Sequence, residues 1–538
     1  MKMKKILSIA LALILVIGML AGCGGKKIEQ ADISQFTDTD EKLTLEWLGY
    51  ATLSGCEEGT APELLLESKF NVEIKPIFAD GTTYTDKKNA LLQSGDIPDL
   101  IYELDPMHVF ADARDEYLLE IPHEAIEEYA PSLYNELKTK VPAVWTYSYY
   151  EGANYGLPNL NHSHMNAKFP NYRGDWLEKL DLEVPETLDE LHDALYAFTH
   201  DDPDGNGKND TYGYAPYSAG HYQWYFADIF GAYGVLPFDW QEVDGEIVYG
   251  GMREECEEVL AVLAQWYKEG IIYPAFVESP DAGWQLMQSG KIGYIPESNY
   301  SNPNNVNSEG NMLKERYPGA YITYGKAIKG PNGDYGSRNW GYPCHIVSFG
   351  NTDEQSPVKA TRMLKMFETL FTDEALFTEV RFGKEGEHYT YDTDSTASGA
   401  FVPTENYAEI AQRRLAGYEF NTSGPSFWTP FAPTGAFYAK SSTNAYNEWK
   451  DTYGDPNAIL VDVFYKVDIV PSAATYIEDL RNGQMALMTE IIMGKKSADS
   501  YIEEFTKIWN STGGPQMMEE AVEHQGIIDE IYGKLGIK

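Results

Sequence analysis

Cysteine and basic residues are scarce in this sequence. Four cysteines occur among 538 residues, and none has a CxxC spacing, which excludes a cysteine zinc cluster and a disulfide-rich scaffold. The 41 basic residues are outnumbered by 83 acidic ones, giving a formal net charge of −42. This charge excludes the basic surface that nucleic acid binding needs and a polybasic contact with anionic lipid. It is typical of a surface charged for solubility.

The sequence also lacks the signatures of common enzyme classes. His123–Glu127 is HEAIE rather than HExxH, and Gly424–Trp428 is GPSFW, without the second glycine of a nucleophile elbow. No P-loop and no dinucleotide-binding fingerprint is present. We therefore expect a protein that is not an enzyme.

One long apolar run occurs, and it lies at the N-terminus. Three lysines in MKMKK precede the run from Ile6 to Leu20, which is followed by Leu20-Ala-Gly-Cys23. The run has the length of a signal peptide core and is short for a membrane span. We predict a signal peptide over 1–22, a lipidated (palmitate-carrying) Cys23 and a polar tether over 23–40. The protein would then be held at the extracellular face of the cell membrane, or in the periplasm of a two-membrane envelope, by its lipid alone.

Strand and helix patterns alternate after the tether, as in an α/β fold with a mostly parallel sheet. Strands are predicted at 43–48 and 72–77 and from Leu100 onward, with helices over 61–69 and 85–93 between them. Gly95 stands where a left-handed helix cap belongs. Later helices are predicted over 187–199, 356–372, 499–510 and 515–532, with a Thr187–Glu190 capping box and Ser356 as an N-cap. The length predicts more than one domain. We expect the cysteines Cys56, Cys256 and Cys344 to be small buried hydrophobic residues.

The segment DPDGNGKNDT resembles the first part of an EF-hand calcium loop. Oxygen side chains recur at alternate positions, a glycine provides the sharp turn, and a carbonyl follows it. The glutamate that usually closes such a loop is replaced by Gly213. The candidate ligands of a structural calcium ion are Asp202, Asp204, Asn206, Lys208, Asp210 and Thr211. The alternative is a turn rich in Asp and Asn that uses the same residues without metal.

Aromatic residues make up 13% of the chain. Sugar rings pack on aromatic side chains while neighbouring polar groups bind their hydroxyls, so we expect an aromatic-lined cleft. Many of these side chains can equally be core residues. The candidates for the ligand site are Trp47, Tyr50, Trp145, His164, Arg173, Trp224, Trp284, Trp340 and Trp428.

Four stretches of the chain resemble the extracellular solute-binding lipoproteins of ABC importers, in their oligosaccharide-type branch. They are Gly95–Leu100 (GDIPDL), the block from Asn171 to Leu191 (NYRGDWLEKL and VPETLDEL), Phe382–Tyr389 (FGKEGEHY) and Ile491–Gly494 (IIMG). Asp181 replaces the glycine usual in the second block. The stretches occur in the expected order over most of the chain.

The resemblance implies a two-lobe, periplasmic-binding-protein-like α/β fold with the ligand cleft between the lobes. It also implies that the DPDGNGKND segment binds calcium. By family order, lobe 1 would contain 41–165 and 330–400, and lobe 2 would contain 166–329 and 401–538. The implied function is a monomeric carrier that delivers an oligosaccharide to ABC permease subunits. The alternatives are a binder of peptide or another solute on the same fold, and an anchored enzyme acting on glycans.

Overall fold

The computed structural model describes residues 31–53, 55–160, 169–216, 222–278, 282–298, 309–339, 341, 343–395, 399–420, 424–431, 433, 435–464 and 469–537. The predicted signal peptide, Cys23 and the first part of the tether lie outside these residues. Across the described ranges, no helix combines the length and the apolar character that a membrane span requires.

Sixteen strands lie in the described part of the chain. In chain order they are β1 Leu43–Leu48, β2 Val72–Pro76, β3 Leu100–Glu103, β4 Tyr149–Tyr150, β5 Ala153–Asn154, β6 Leu157–Leu160, β7 Phe169–Arg173, β8 Trp240–Val243, β9 Glu246–Tyr249, β10 Tyr294–Ser298, β11 Ile322–Tyr324, β12 Ser337–Arg338, β13 Pro343–Phe349, β14 Tyr389–Tyr391, β15 Phe401–Pro403 and β16 Ile459–Leu460.

The α-helices of the same ranges surround these strands. They are Ala61–Phe70, Tyr84–Ser94, Pro106–Arg114, His123–Tyr129, Pro131–Lys140, Gly174–Lys179, Leu188–His200, Ala227–Gly231, Glu255–Lys268, Ala282–Gln288, Glu309–Arg316, Ser356–Thr372, Glu374–Phe382, Ile410–Leu415, Gly435–Ser441, Asn444–Tyr453, Ala473–Ile492, Tyr501–Ser511 and Gly514–Leu535.

The sequence patterns located the regular elements well. β1 has the predicted bounds, and Gly95 caps its helix with φ +85°. Helix Leu188–His200 begins with the predicted reciprocal hydrogen bonds between Thr187 and Glu190. Ser356 is not the N-cap that the sequence predicted, because the N-cap is Gln355. The Ser356 hydroxyl instead accepts hydrogen bonds from the N–H groups of Thr352 and Asp353.

The first lobe is built on a five-stranded sheet with the order β2-β1-β3-β13-β6. β1 pairs in parallel with β2 and β3, whereas β13 runs antiparallel to both β3 and β6. Four of the five strands therefore point the same way, and the sheet is mostly parallel as predicted. Helices Pro131–Lys140 and Ser356–Thr372 pack against each other on this lobe.

The second lobe contains a three-stranded antiparallel sheet with the order β10-β7-β11. Helices Glu255–Lys268 and Ala473–Ile492 pack against each other, and helix Tyr501–Ser511 packs on both. The C-terminal helix Gly514–Leu535 joins the two lobes. Glu520 on this helix accepts a hydrogen bond from Ser472 N–H of the second lobe, while Lys534 donates one to the Gly152 carbonyl of the first.

Residues 401–420 and 424–431, which family order assigned to lobe 2, pack on the first lobe. β15 pairs with β14, and the Trp47 indole donates a hydrogen bond of 3.0 Å to the Phe427 carbonyl. A side chain at Gly49 would lie 2.9 Å from that carbonyl, so the close approach requires glycine there. The contacts of this segment thus differ from the boundary that family order predicts. The polypeptide returns to the second lobe only after this segment has completed the first.

A half-buried carboxyl group, Asp228, is hydrogen-bonded within the second lobe. Asp228 accepts hydrogen bonds from the hydroxyls of Tyr214 (2.6 Å) and Tyr294 (2.8 Å). Both tyrosines are fully buried. Loss of hydration raises the pKa of Asp228 to about 6, although the two hydroxyls oppose the shift. The native fold therefore disfavours the ionised form of Asp228 relative to the unfolded chain.

Replacement of Asp228 tests this electrostatic cost. The pKa rises from about 3.9 in the unfolded chain to about 6 in the native one, so stability falls as the pH rises through this interval. We expect Asp228→Asn to raise the free energy of unfolding at pH 7.5 by about 1–3 kcal/mol, and by less at pH 5. Urea unfolding at both pH values measures the difference. The exposed Glu73→Gln serves as the control. An Asp228→Asn protein that is destabilised equally at both pH values would contradict this account.

Candidate functional site

The carboxyl ends of β1, β3 and β6 meet at one edge of the first sheet. The pairing Pro343↔Leu160 places the start of β13 at the same edge. The chain passes from β6 to β7 here, and it returns to β13 from β12. This edge therefore faces the second lobe, and crevices outside the carboxyl ends of strands are where open α/β sheets bind ligands. We identify it as the candidate solute site.

Three aromatic rings cluster at this edge. Tyr50 follows β1, Tyr102 lies near the end of β3, and His345 lies near the start of β13. Their ring centroids are 5.0–5.5 Å apart, and the Tyr102 hydroxyl lies 3.3 Å from His345 Nδ1. Tyr50 and His345 are partly exposed, whereas Tyr102 is buried. The cluster offers an aromatic surface with polar atoms beside it, as sugar binding requires.

A buried ion cluster holds the end of β3 in place. Lys88 Nζ lies 2.8 Å from Glu103 Oε1 and 2.6 Å from Asp112 Oδ2, with Lys88 and Glu103 only 1% exposed. Burial by itself would lower the pKa of Lys88, but the two carboxylates outweigh it and raise that pKa. The cluster fixes β3 against helices Tyr84–Ser94 and Pro106–Arg114, and so it positions Tyr102.

A second aromatic and charged group lies beside the crossing between the lobes. The Arg338 guanidinium stands 4.7 Å above the Trp224 ring, and its Nε donates a 3.0 Å hydrogen bond to Asp239. Asp462 accepts hydrogen bonds from the N–H groups of Trp240 and Phe464. Burial and the nearby Asp239 raise the pKa of Asp462 to about 8. Trp224, which was predicted as a ligand residue, thus lies beside the crossing between the lobes. It is 6% exposed.

Two of the predicted ligand residues, Trp47 and Trp145, lie in the core. Trp47 is fully buried, with its ring edge-on to Phe367 at 5.9 Å. Trp145 is also fully buried and packs against His123 and Tyr134, in the helical layer of the first lobe. Alternation along β1 turns Trp47 inward, so its position near a strand end did not place it in a cleft.

Arg173 and Trp428 are also enclosed by protein. Arg173 lies at the end of β7 opposite the crossing, where it forms a two-point ion pair with Asp175 (2.8 and 2.6 Å) and stacks on Trp176. The Arg173 guanidinium is therefore engaged by contacts within the second lobe. Trp428 is 1% exposed and contacts Phe78 and Phe427. Its segment belongs to the first lobe, but its side chain does not line an open surface.

The remaining predicted ligand residues lie outside what the structure describes. His164 and Trp340 fall in such segments, as does the Trp284 side chain, although Trp284 lies within helix Ala282–Gln288. Tyr50 and Trp224 are thus the predicted residues that the structure brings to the region between the lobes. Tyr102, His345 and Arg338 were missed. Their positions at the ends of β3, β13 and β12 were the available signal, but the partners of β13 are distant in sequence.

The predicted calcium loop forms a tight turn. The Asp202 carboxylate accepts hydrogen bonds from the N–H groups of Asn206 and Gly207, both 3.0 Å long. Gly205 and Gly207 have positive φ angles. Lys291 Nζ lies 2.9 Å from Asp204 Oδ2 and 2.8 Å from Asp210 Oδ1. Two carboxylates thus converge on one positive charge, and this ammonium stands where a cation would be held.

Other features of the loop depart from the EF-hand pattern. Thr211 is buried, and its hydroxyl donates a hydrogen bond to the Phe198 carbonyl. Among the residues that the structure describes, no three carboxylate, imidazole or thiol side chains are arranged to hold a metal ion. The turn and its paired carboxylates are of the kind that calcium binds. With Lys291 in place, however, the oxygen atoms do not form a complete calcium shell.

Cys56 and Cys256 are buried free thiols, as expected for small apolar residues. Burial raises the pKa of Cys56 to about 11. A separate cavity of about 400 Å³ lies away from the candidate site, where the N-terminal segment, the β4–β5 hairpin and the C-terminal helix meet. Its lining includes His123, Tyr149 and Lys534.

Comparison with known families defines the class of the protein. Residues 66–356 match the family of bacterial extracellular solute-binding proteins. The match covers more than half of the chain, and the chain belongs to this family. Its members bind solutes and are not enzymes.

The chain is similar to a carbohydrate-binding protein and to a lipoprotein among its curated relatives. The polygalacturonan/rhamnogalacturonan-binding protein YtcQ of Bacillus subtilis (strain 168) is 27% identical over 387 residues, which cover 70% of this chain and 73% of YtcQ. Lipoprotein LipO of the same organism is 23% identical over 527 residues, covering 95% and 96% of the two chains.

Solved structures share the fold. A human-milk-oligosaccharide (HMO) binding solute-binding protein from Bifidobacterium longum infantis aligns with a TM-score of 0.64 and 15% identity, covering 92% of this chain and 99% of the other. An EF-hand mutant of S. pneumoniae FusA in complex with fructo-nystose aligns with a TM-score of 0.58 and 17% identity, with the same coverage. The predicted two-lobe architecture is confirmed.

The assignment of Trp47 to the core and of Tyr50 to the site can be tested together. We expect Trp47→Ala to lower the free energy of unfolding by about 3–5 kcal/mol, because it empties a packed position and removes the indole hydrogen bond. Tyr50→Ala, at a partly exposed position, should cost less than half of this. Denaturant unfolding of both variants measures the difference. Equal losses would show that Tyr50 is a core residue as well.

Proposed function

We propose that this protein captures an oligosaccharide between its two lobes and delivers it to the permease of an ABC importer. The observation that carries the proposal is the aromatic cluster of Tyr50, Tyr102 and His345 at the edge facing the second lobe. YtcQ, named for binding polygalacturonan and rhamnogalacturonan, and the fructooligosaccharide substrate-binding protein FusA support a carbohydrate ligand.

Binding in such a site is coupled to lobe closure. A solute that touches the first lobe at Tyr50 and the second near Trp224 gains its full set of contacts only when both surfaces enclose it. The ligand therefore shifts the equilibrium toward the closed form, and the closed form is the one presented to the permease. A monomer is sufficient for this cycle.

A glycan screen with melting as the readout tests the proposal. Binding to the native state stabilises it by RT ln(1 + [L]/Kd), about 2.7 kcal/mol at a hundredfold excess over Kd. We expect one class among galacturonan, fructan and neutral oligosaccharides to raise Tm without being degraded. Tyr50→Ala should weaken the affinity for that glycan about tenfold, since it removes an aromatic contact.

The matched control is Tyr196→Ala, because Tyr196 is 43% exposed on helix Leu188–His200, away from the site. It should leave the affinity unchanged. A protein that responds to peptide mixtures and to no glycan would be a peptide carrier on this fold. Release of reducing sugar during the screen would instead support the glycan-active enzyme.

We propose further that the protein is exported and held at the outer face of the cell membrane through lipid on Cys23. The apolar run followed by Leu20-Ala-Gly-Cys23 supports this, as does the similarity to lipoprotein LipO. The net charge of −42 disfavours any electrostatic attachment to anionic lipid, so the anchor would act alone.

Replacement of Cys23 tests the anchor. The wild-type protein should label with palmitate and enter the detergent phase, because an acylated N-terminus carries enough buried CH₂ groups to hold it there. Cys23→Ser should lose the label and appear in the aqueous phase. The matched substitution Cys56→Ser controls for loss of a thiol. Unchanged labelling of Cys23→Ser would exclude this site.

We also propose that the loop 202–211 takes a structural calcium ion. Asp202, Asp204, Asn206 and Asp210 would supply side-chain oxygens and Lys208 its carbonyl, with Thr211 at the edge of the shell. Oxygen donors of this kind at alternate positions are those calcium prefers. Two solved structures with this fold support a calcium site: the alginate-binding protein AlgQ2, described as being without calcium ion, and the EF-hand mutant of FusA.

A further inference from the structure

Lys291 occupies the centre of the loop 202–211 although it lies more than 80 residues further along the chain. Its Nζ is 2.9 Å from Asp204 Oδ2 and 2.8 Å from Asp210 Oδ1. Its backbone is fixed there as well, because Tyr212 N–H donates a 3.0 Å hydrogen bond to the Lys291 carbonyl. Main-chain pairing therefore places the Lys291 backbone beside the loop, and the two ion pairs hold its ammonium there.

The carboxylates that Lys291 contacts are two of the proposed calcium ligands. The amide of Asn206 donates to the same pair, at 2.8 Å from Asp204 and 3.0 Å from Asp210. Hydrogen bonds from Lys291 and Asn206 hold the pKa of Asp210 below its ordinary value. Lys291 thus neutralises part of the negative charge of the loop, and Asn206 supplies further hydrogen-bond donors to the same carboxylates.

Calcium and this ammonium cannot share these oxygens. Calcium requires carboxylate oxygens at about 2.3–2.6 Å, and a positive charge on the same oxygens would repel it strongly. Calcium binding must therefore move Lys291 away and break both of its ion pairs.

We propose that Lys291 is the resident cation of the metal-free loop, and that calcium binds by displacing it. This inference rests on the calcium site proposed above. Lys291 then has two consequences. It keeps the loop folded without metal, and it lowers the calcium affinity below that of a loop with the same ligands and no internal cation.

A lysine outside the loop provides the comparison. Lys179 is unsuitable, because it donates hydrogen bonds to the Asp202 and Pro203 carbonyls of the loop. Lys268 is exposed at the end of helix Glu255–Lys268 in the same lobe. Lys268→Met therefore removes one positive charge without altering any of the proposed ligands, and it is the matched control.

The experiment is a calcium titration by calorimetry on EDTA-stripped protein lacking the signal peptide, for wild type, Lys291→Met and Lys268→Met. We expect Lys291→Met to bind calcium at least about tenfold more tightly than wild type, and Lys268→Met to stay within about twofold. Melting adds a second readout. In EDTA, Lys291→Met should melt below wild type, and calcium should raise the Tm of Lys291→Met more than that of wild type.

The outcomes separate the two proposals. Equal affinities of wild type and Lys291→Met would overturn the role of Lys291 and leave the calcium site standing. No binding by either protein at millimolar calcium would overturn both. Binding by Lys291→Met alone would overturn displacement by calcium, because Lys291 would then replace the ion altogether. If Lys291→Met does not fold, Lys291→Gln, which keeps a hydrogen-bond donor without the charge, gives the same comparison.

Discussion

The shared direction of four strands in the first sheet is the constraint on which the site depends. Because β1, β2, β3 and β6 run the same way, their carboxyl ends lie at a single edge. The chain crosses to the second lobe from that edge and returns to it. Residues that follow these strands, such as Tyr50, must therefore face the other lobe. A reversed β13 adds His345 to the same place from a distant part of the sequence.

Buried charge is used to hold these ends rigidly. Lys88 bridges Glu103 and Asp112 beneath the aromatic cluster, and Arg338 is fixed by Asp239 beside the crossing. A buried ion pair contributes little net stability after desolvation, but removal of one partner leaves an uncompensated charge. Such pairs therefore specify where a strand ends more than they strengthen the fold. They position the surfaces that closure brings together.

The loop 202–211, outside the candidate site, is also held by ion pairs. Its sequence is typical of a calcium loop, but two of its carboxylates are paired to Lys291 in the structure. The motif is local, whereas the lysine that neutralises it arrives through the bridge between Tyr212 and Ile292. The sequence motif thus determines which side chains can bind a cation. It does not determine whether that cation is calcium or the ammonium of Lys291.

The sequence by itself determined the elements with local causes. Alternating apolar residues fixed β1, the Thr187–Glu190 capping box fixed a helix start, and Gly95 fixed a helix end. The family motifs, which are also local, fixed the class of protein and its two-lobe fold.

Only the tertiary structure decided which aromatic residues are core and which reach the edge that faces the second lobe. Trp47 and Tyr50 are three residues apart, but Trp47 donates to the Phe427 carbonyl and Tyr50 lies at the edge beside Tyr102. The placement of residues 401–420 and 424–431 on the first lobe was decided in the same way. The physical reason is that burial depends on partners hundreds of residues away, and neither composition nor periodicity contains those pairings.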